Sequence, residues 1–110
     1  MSFWSELQFA IESIMIGKLY FVYILTNFSN SVLYTGITNN LKNRIYSHKN
    51  KTGSTFTSKY NVNKLVYYEM FEDPENAIKK EKYIKNLLRR KKIEIINKFN
   101  KTWRDLYPEI

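Results

Sequence analysis

Residues 19–25, Leu19-Tyr20-Phe21-Val22-Tyr23-Ile24-Leu25, and residues 32–37, Val32-Leu33-Tyr34-Thr35-Gly36-Ile37, are two apolar runs dense in β-branched and aromatic side chains. Such runs favour strands. Between them lies Asn27-Phe28-Ser29-Asn30-Ser31, whose amide and hydroxyl side chains favour a turn. The segment therefore reads as an antiparallel hairpin. Setting Tyr23 opposite Tyr34 puts the pivot between Phe28 and Ser29, inside the turn, and leaves both phenols on one face as cross-strand neighbours. A slip of one residue would send them to opposite faces.

Downstream, Asn39 or Asn40 can cap a helix through Leu41-Lys42-Asn43-Arg44-Ile45-Tyr46-Ser47-His48-Lys49. At about 100° per residue, Leu41, Arg44, Ile45 and His48 share one face. An arginine and the only histidine of the chain are thus expected on the side that meets the sheet. Gly53 breaks the chain, and Thr55-Phe56-Thr57-Ser58-Lys59-Tyr60 reads as a short second helix. Lys64-Leu65-Val66-Tyr67-Tyr68-Glu69-Met70-Phe71 is a third strand, followed by a helix capped by Asp73 with Pro74 in its first position.

That helix is expected to run to about Arg90, with an apolar stripe of Ala77, Ile84, Leu87 and Leu88. Glu81 falls inside the stripe, while Lys79, Lys82 and Asn86 lie opposite it, as an amphipathic helix requires. A carboxylate held against a core needs a partner, because an unpaired buried charge costs several kcal/mol. Arg44, His48 or a divalent cation would supply one, and a structural salt bridge or a rim position is the alternative. Ile93, Ile95, Ile96 and Phe99 then support another helix.

The expected fold is α/β (α+β): a three-stranded antiparallel sheet flanked by helices, in the order β-β-α-α-β-α-α. Residues 18–99 would form this domain and residues 100–110 a tail packed on it. Residues 1–17 read as an N-terminal extension with a short helix, since Glu6 and Glu12 interrupt its apolar character and it lacks the basic leader of a signal peptide. With 110 residues, one core is expected.

The chain has no cysteine and one histidine, which excludes a disulfide framework and a cysteine or multi-histidine zinc site. An intracellular, cytoplasmic location is the default when cysteine is absent. The formal net charge of +8 points to a polyanionic partner. Lys42, Lys49, Lys51, Lys59, Arg89 and Arg90 are the expected nucleic-acid contacts; the structural alternative is a solvated face that keeps the protein soluble.

Taken together, these residues resemble the GIY-YIG nuclease superfamily, in particular small single-domain members related to the catalytic part of the excision-repair nuclease subunit. Phe21-Val22-Tyr23 takes the place of the first motif and Tyr34-Thr35-Gly36 that of the second; Arg44, His48 and Glu81 complete the set. Phe21 and Thr35 depart from the motifs' glycine and aliphatic residue, and Ile37 and Thr38 stand where some relatives have lysine.

The resemblance implies a metal-dependent endonuclease acting on DNA, or RNA, with repair as one compatible setting. Glu81 would be the protein ligand of one Mg²⁺ or Mn²⁺. Arg44 would hold the phosphate. Tyr34 would serve as general base with Tyr23 orienting, and His48 is the alternative base. An auxiliary asparagine would be Asn86 or Asn97. Without a second domain to read base sequence, selectivity is expected for nucleic-acid structure or from a protein partner. The rival reading is a non-catalytic nucleic-acid-binding module on the same scaffold, and no membrane association is expected.

Overall fold

A computed structural model describes residues 19–110; the expected N-terminal helix lies outside the described residues. The elements are β1 (Tyr20–Thr26), β2 (Leu33–Thr38), α1 (Leu41–Lys49), α2 (Thr55–Tyr60), β3 (Lys64–Phe71), α3 (Pro74–Lys85) and α4 (Arg89–Phe99), followed by a 3₁₀ turn at Tyr107–Glu109. The strands form one antiparallel sheet in the order β2-β1-β3. This is the mixed α/β arrangement that the sequence predicts, with its strand and helix order.

Alternation along β1 divides the core in two. Tyr20, Val22 and Ile24 face one side and pack with Ala77 and Ile84 of α3 and Ile96 of α4. Tyr23 and Leu25 face the other, with Leu41 and Ile45 of α1, Val62, Leu65 and Leu106. The sheet is thus covered on both faces, and its central strand is buried almost throughout. Among the described residues, no helix is long and apolar enough to cross a membrane.

The hairpin register corrects the sequence reading. Tyr23 lies opposite Gly36, and Tyr34 lies opposite Leu25. The cause is Asn27: its Oδ1 accepts from the N–H groups of Ser31 and Val32, while Thr26 Oγ1 donates to the Val32 carbonyl. These bonds widen the connection to residues 27–32, with Asn30 in the left-handed region at φ 60°. The resulting offset is two residues, so parity survives and the phenols keep a common face as diagonal neighbours. Their ring centroids are 6.4 Å apart.

The helix carrying Glu81 ends at Lys85 rather than near Arg90. Asn86 turns its side chain back to the Lys82 carbonyl, and Leu88 becomes extended and starts α4. Leu88 is consequently exposed instead of completing the apolar stripe. The start follows expectation: Asp73 accepts from the Asn76 N–H and Pro74 opens the first turn.

Past α4, Asn100 is buried and donates to the carbonyls of Val66 and Arg104. Asp105 and Leu106 run beside β3: Leu65 N–H donates to Asp105 Oδ1, and Leu106 N–H donates to the Leu65 carbonyl. Lys49 Nζ completes this tie at 2.6 Å from Asp105 Oδ2.

Candidate active site

The site begins with a bulky side chain facing an absent one. Tyr23 projects from the central strand directly at Gly36 on the edge strand, and a Cβ on Gly36 would overlap the Tyr23 Cζ and Oη atoms. The missing side chain is what lets the phenol lie across β2. Its hydroxyl then meets α1, where Arg44 and His48 stand one turn apart on the buried face.

At that point the polar atoms form one chain. His48 Nε2 is 3.0 Å from Tyr23 Oη, and Arg44 Nε donates to the same oxygen at 3.4 Å. His48 Nδ1 is 2.9 Å from Thr57 Oγ1, whose own hydrogen goes to the Ser54 carbonyl at 3.1 Å. A carbonyl only accepts, so the Thr57 hydroxyl accepts from His48. The imidazole therefore carries its proton on Nδ1, and Nε2 accepts from Tyr23 O–H. Gly53 serves the imidazole as Gly36 serves the phenol: a Cβ there would press on His48 Nδ1.

Burial, reinforced by the nearby charge of Arg44, lowers the His48 pKa to about 4, so the ring is neutral at physiological pH. Burial, Tyr34 and Glu81 raise the pKa of the Tyr23 phenol well above its usual range, and Arg44 only partly offsets them. Tyr34 closes the cluster. Its ring packs edge-on to His48 at 5.6 Å, and its nearby hydroxyl favours the charged form of Arg44. Unlike Tyr23, it is only half-buried and so can face a substrate.

Glu81 reaches the same region from α3, on the other side of the sheet, close enough for its charge to oppose ionisation of Tyr23. It is 1% exposed. Its partner is neither Arg44 nor His48 but Lys85, whose Nζ lies 2.6 Å from Oε2 one helical turn on. Among the described residues no further hydrogen bond reaches Oε2. A buried carboxylate oxygen whose one partner is a part-exposed lysine fits a hard divalent cation. Among the described residues no three His, Asp or Glu side chains cluster, so Glu81 would be the protein ligand and water and phosphate would complete the shell.

The remaining predicted residues divide. Lys42, Lys51, Lys59, Arg89 and Arg90 are exposed, whereas Lys49 is held by Asp105 and the Asn63 carbonyl. Arg89 also reaches the Asn30 carbonyl on the hairpin turn. Asn97 accepts from the Trp103 indole, and Asn86 caps its own helix. Thr57 and Lys85 escaped the sequence reading. The Glu81–Lys85 spacing of four was the available signal for one; Thr57, a threonine in a short polar helix, carried none.

The GIY-YIG catalytic-domain model matches residues 19–94. The chain is similar to UPF0213 protein CPE1444 of Clostridium perfringens, 46% identical over 77 residues, covering 70% of this chain and 82% of that protein. A UPF0213 protein of Limosilactobacillus reuteri is 38% identical over 80 residues, covering 71% and 82%. The solution structure of UPF0213 protein BH0048 from Bacillus halodurans matches with 33% identity and a TM-score of 0.47, over 72% of this chain and 83% of that one. With a catalytic-domain match over most of its length and a relative 46% identical, this chain is a small member of the GIY-YIG family.

Proposed function

We propose that the chain is a divalent-metal-dependent endonuclease that hydrolyses DNA phosphodiester bonds and selects its substrate by structure rather than by base sequence. The observation that carries this reading is the shared hold on Arg44. Its guanidinium donates to Tyr23 and is favoured in its charged form by Tyr34, and a buried carboxylate approaches the same region from the helix on the opposite face of the sheet.

The roles follow from accessibility. Arg44 presents its remaining donors to a phosphate and offsets charge that builds in the transition state. Tyr34 contacts Arg44 and keeps an exposed edge, so it is the phenol that takes a proton from an attacking water. Both His48 nitrogens are already engaged, which disfavours it as a direct base. It instead fixes Tyr23, and Tyr23 fixes Arg44. Glu81 would hold Mg²⁺ or Mn²⁺, with Lys85 giving way. What a bound ion supplies is Lewis acidity at the phosphodiester.

One observation favours a second proton route. Tyr23 O–H points at a neutral imidazole, so Tyr23 can accept a proton from water while passing its own to His48, without forming a free phenolate.

The test is cleavage of labelled single-stranded, nicked and branched DNA with Mg²⁺. Cutting should vanish with EDTA and with Glu81→Ala while binding persists. Tyr34→Phe should cost at least about 100-fold; a larger loss in Tyr23→Phe than in Tyr34→Phe would select the relay through His48. Salt-sensitive binding with no metal-dependent cutting on any of these substrates would replace the enzyme by a nucleic-acid-binding module.

A further inference from the structure

Helix α2 is built inside out. Its one buried residue is the polar Thr57, turned inward to hold His48, whereas its two aromatic residues, Phe56 and Tyr60, are each 45% exposed. An ordinary surface helix does the reverse. Nor are these rings scattered. Phe56 stacks on Tyr34 of the site at 6.2 Å with an interplanar angle of 25°, and Tyr60, one helical turn on, packs against Phe56 at 5.0 Å. The result is a continuous aromatic ladder from the catalytic tyrosine to the surface, and contiguous exposed apolar surface marks a contact site.

The electrostatics of this region identify the occupant. Residues 19–68 contain Lys42, Arg44, Lys49, Lys51, Lys59 and Lys64 and not one Asp or Glu. Lys59 Nζ sits 5.4 Å from the centroid of the Tyr60 ring, and Lys51 is joined to α2 through its carbonyl, which accepts from Ser58 Oγ. Aromatic faces interleaved with cations, on a stretch of chain that itself carries no carboxylate, match a strand of nucleobases on a phosphate backbone. Paired bases already stack on their duplex neighbours and have no free face to offer.

We infer that Phe56 and Tyr60 are a stacking subsite for unpaired bases beside the scissile phosphate, making single-stranded nucleic acid the substrate class. This rests on the nuclease reading for its meaning, but its test does not need cleavage. The full chain is titrated in EDTA, by fluorescence anisotropy, with a single-stranded oligodeoxynucleotide carrying one 2-aminopurine and with the duplex of the same sequence. Single strands should bind more tightly and 2-aminopurine emission should be quenched by stacking. Phe56→Leu combined with Tyr60→Leu should remove the quench and weaken single-strand binding about 10-fold or more, while duplex affinity stays unchanged. Phe56→Trp should keep both signals.

Equal losses for single strand and duplex, or an unquenched probe on the wild-type chain, would overturn the inference. The wild-type quench decides even if the double variant fails to fold. Adding Mg²⁺ to the same oligonucleotide reads the nuclease activity separately, so quench without cutting would sink the enzyme and leave the subsite standing.

Discussion

Tyr23 and Glu81 are equally buried, each 1% exposed, yet they are held in opposite ways. Tyr23 is fixed by contacts between elements: Gly36 from β2 makes room for its ring, Arg44 and His48 from α1 bracket its hydroxyl, and Thr57 from α2 orients the imidazole behind it. The phenol oxygen, both imidazole nitrogens and the threonine hydroxyl each have a partner. Among the described residues Glu81 has a single ion pair, to a lysine of its own helix that is itself one-third exposed. The aromatic half of the site is thus rigid by construction. The carboxylate half has fewer ties, as the proposed function would require of a metal ligand.

The largest effect is expected of Glu81→Gln, which removes the charge and keeps the shape. Under the proposed function it should lower cleavage about 10³-fold, the scale of a lost electrostatic stabiliser. Stability should change by less than about 1 kcal/mol, because the freed Lys85 reaches water. Rates on single-stranded DNA and thermal melts read both effects; a collapse of stability would make Glu81 a structural residue.

Acid should act on the other half. The imidazole titrates near its ordinary 6.5 in the unfolded chain and near 4 in the folded one, so between these values the unfolded state binds more protons. The stability held above pH 6.5 is therefore lost as pH falls from 6.5 toward 4, by up to about 3 kcal/mol. His48→Gln should flatten this dependence in denaturant melts across that window. An unchanged slope would mean that His48 is not held neutral.

A smaller effect compares the two close approaches. Gly36→Ala drives a methyl into a ring anchored in the sheet and should cost about 2 kcal/mol, an overpacking penalty that Gly53→Ala, outside any helix or strand, should largely escape. Urea melts of the two variants would show whether Tyr23 is as tightly held as the hydrogen-bond chain implies.

Much of this was readable from the sequence, for definite reasons. The periodicity of residues 41–48 placed Arg44 and His48 on the inner face, and Glu81 stood out because its neighbours obeyed the helical pattern it broke. Parity protected the relation of the two tyrosines, since a two-residue offset leaves every side chain on its face. What escaped depended on single side chains acting at a distance. The Asn27 amide replaced a ladder bond, and the Asn86 amide helped to end a helix that hydrophobic pattern alone would extend. The role of Thr57 depends on where Gly53 lets the chain pass, which no local periodicity encodes.

The alignment of Asp105 and Leu106 with Leu65 has a consequence beyond the site. On its outer side Leu65 would present an unpaired donor and acceptor, the kind of rim that recruits a neighbouring molecule into a shared sheet. Asp105 Oδ1 and the Leu106 amide take both, and Lys49 secures the carboxylate from behind. Asp105 and Leu106 thus act as a surrogate strand over the start of the ladder, blunting that end of an adhesive edge.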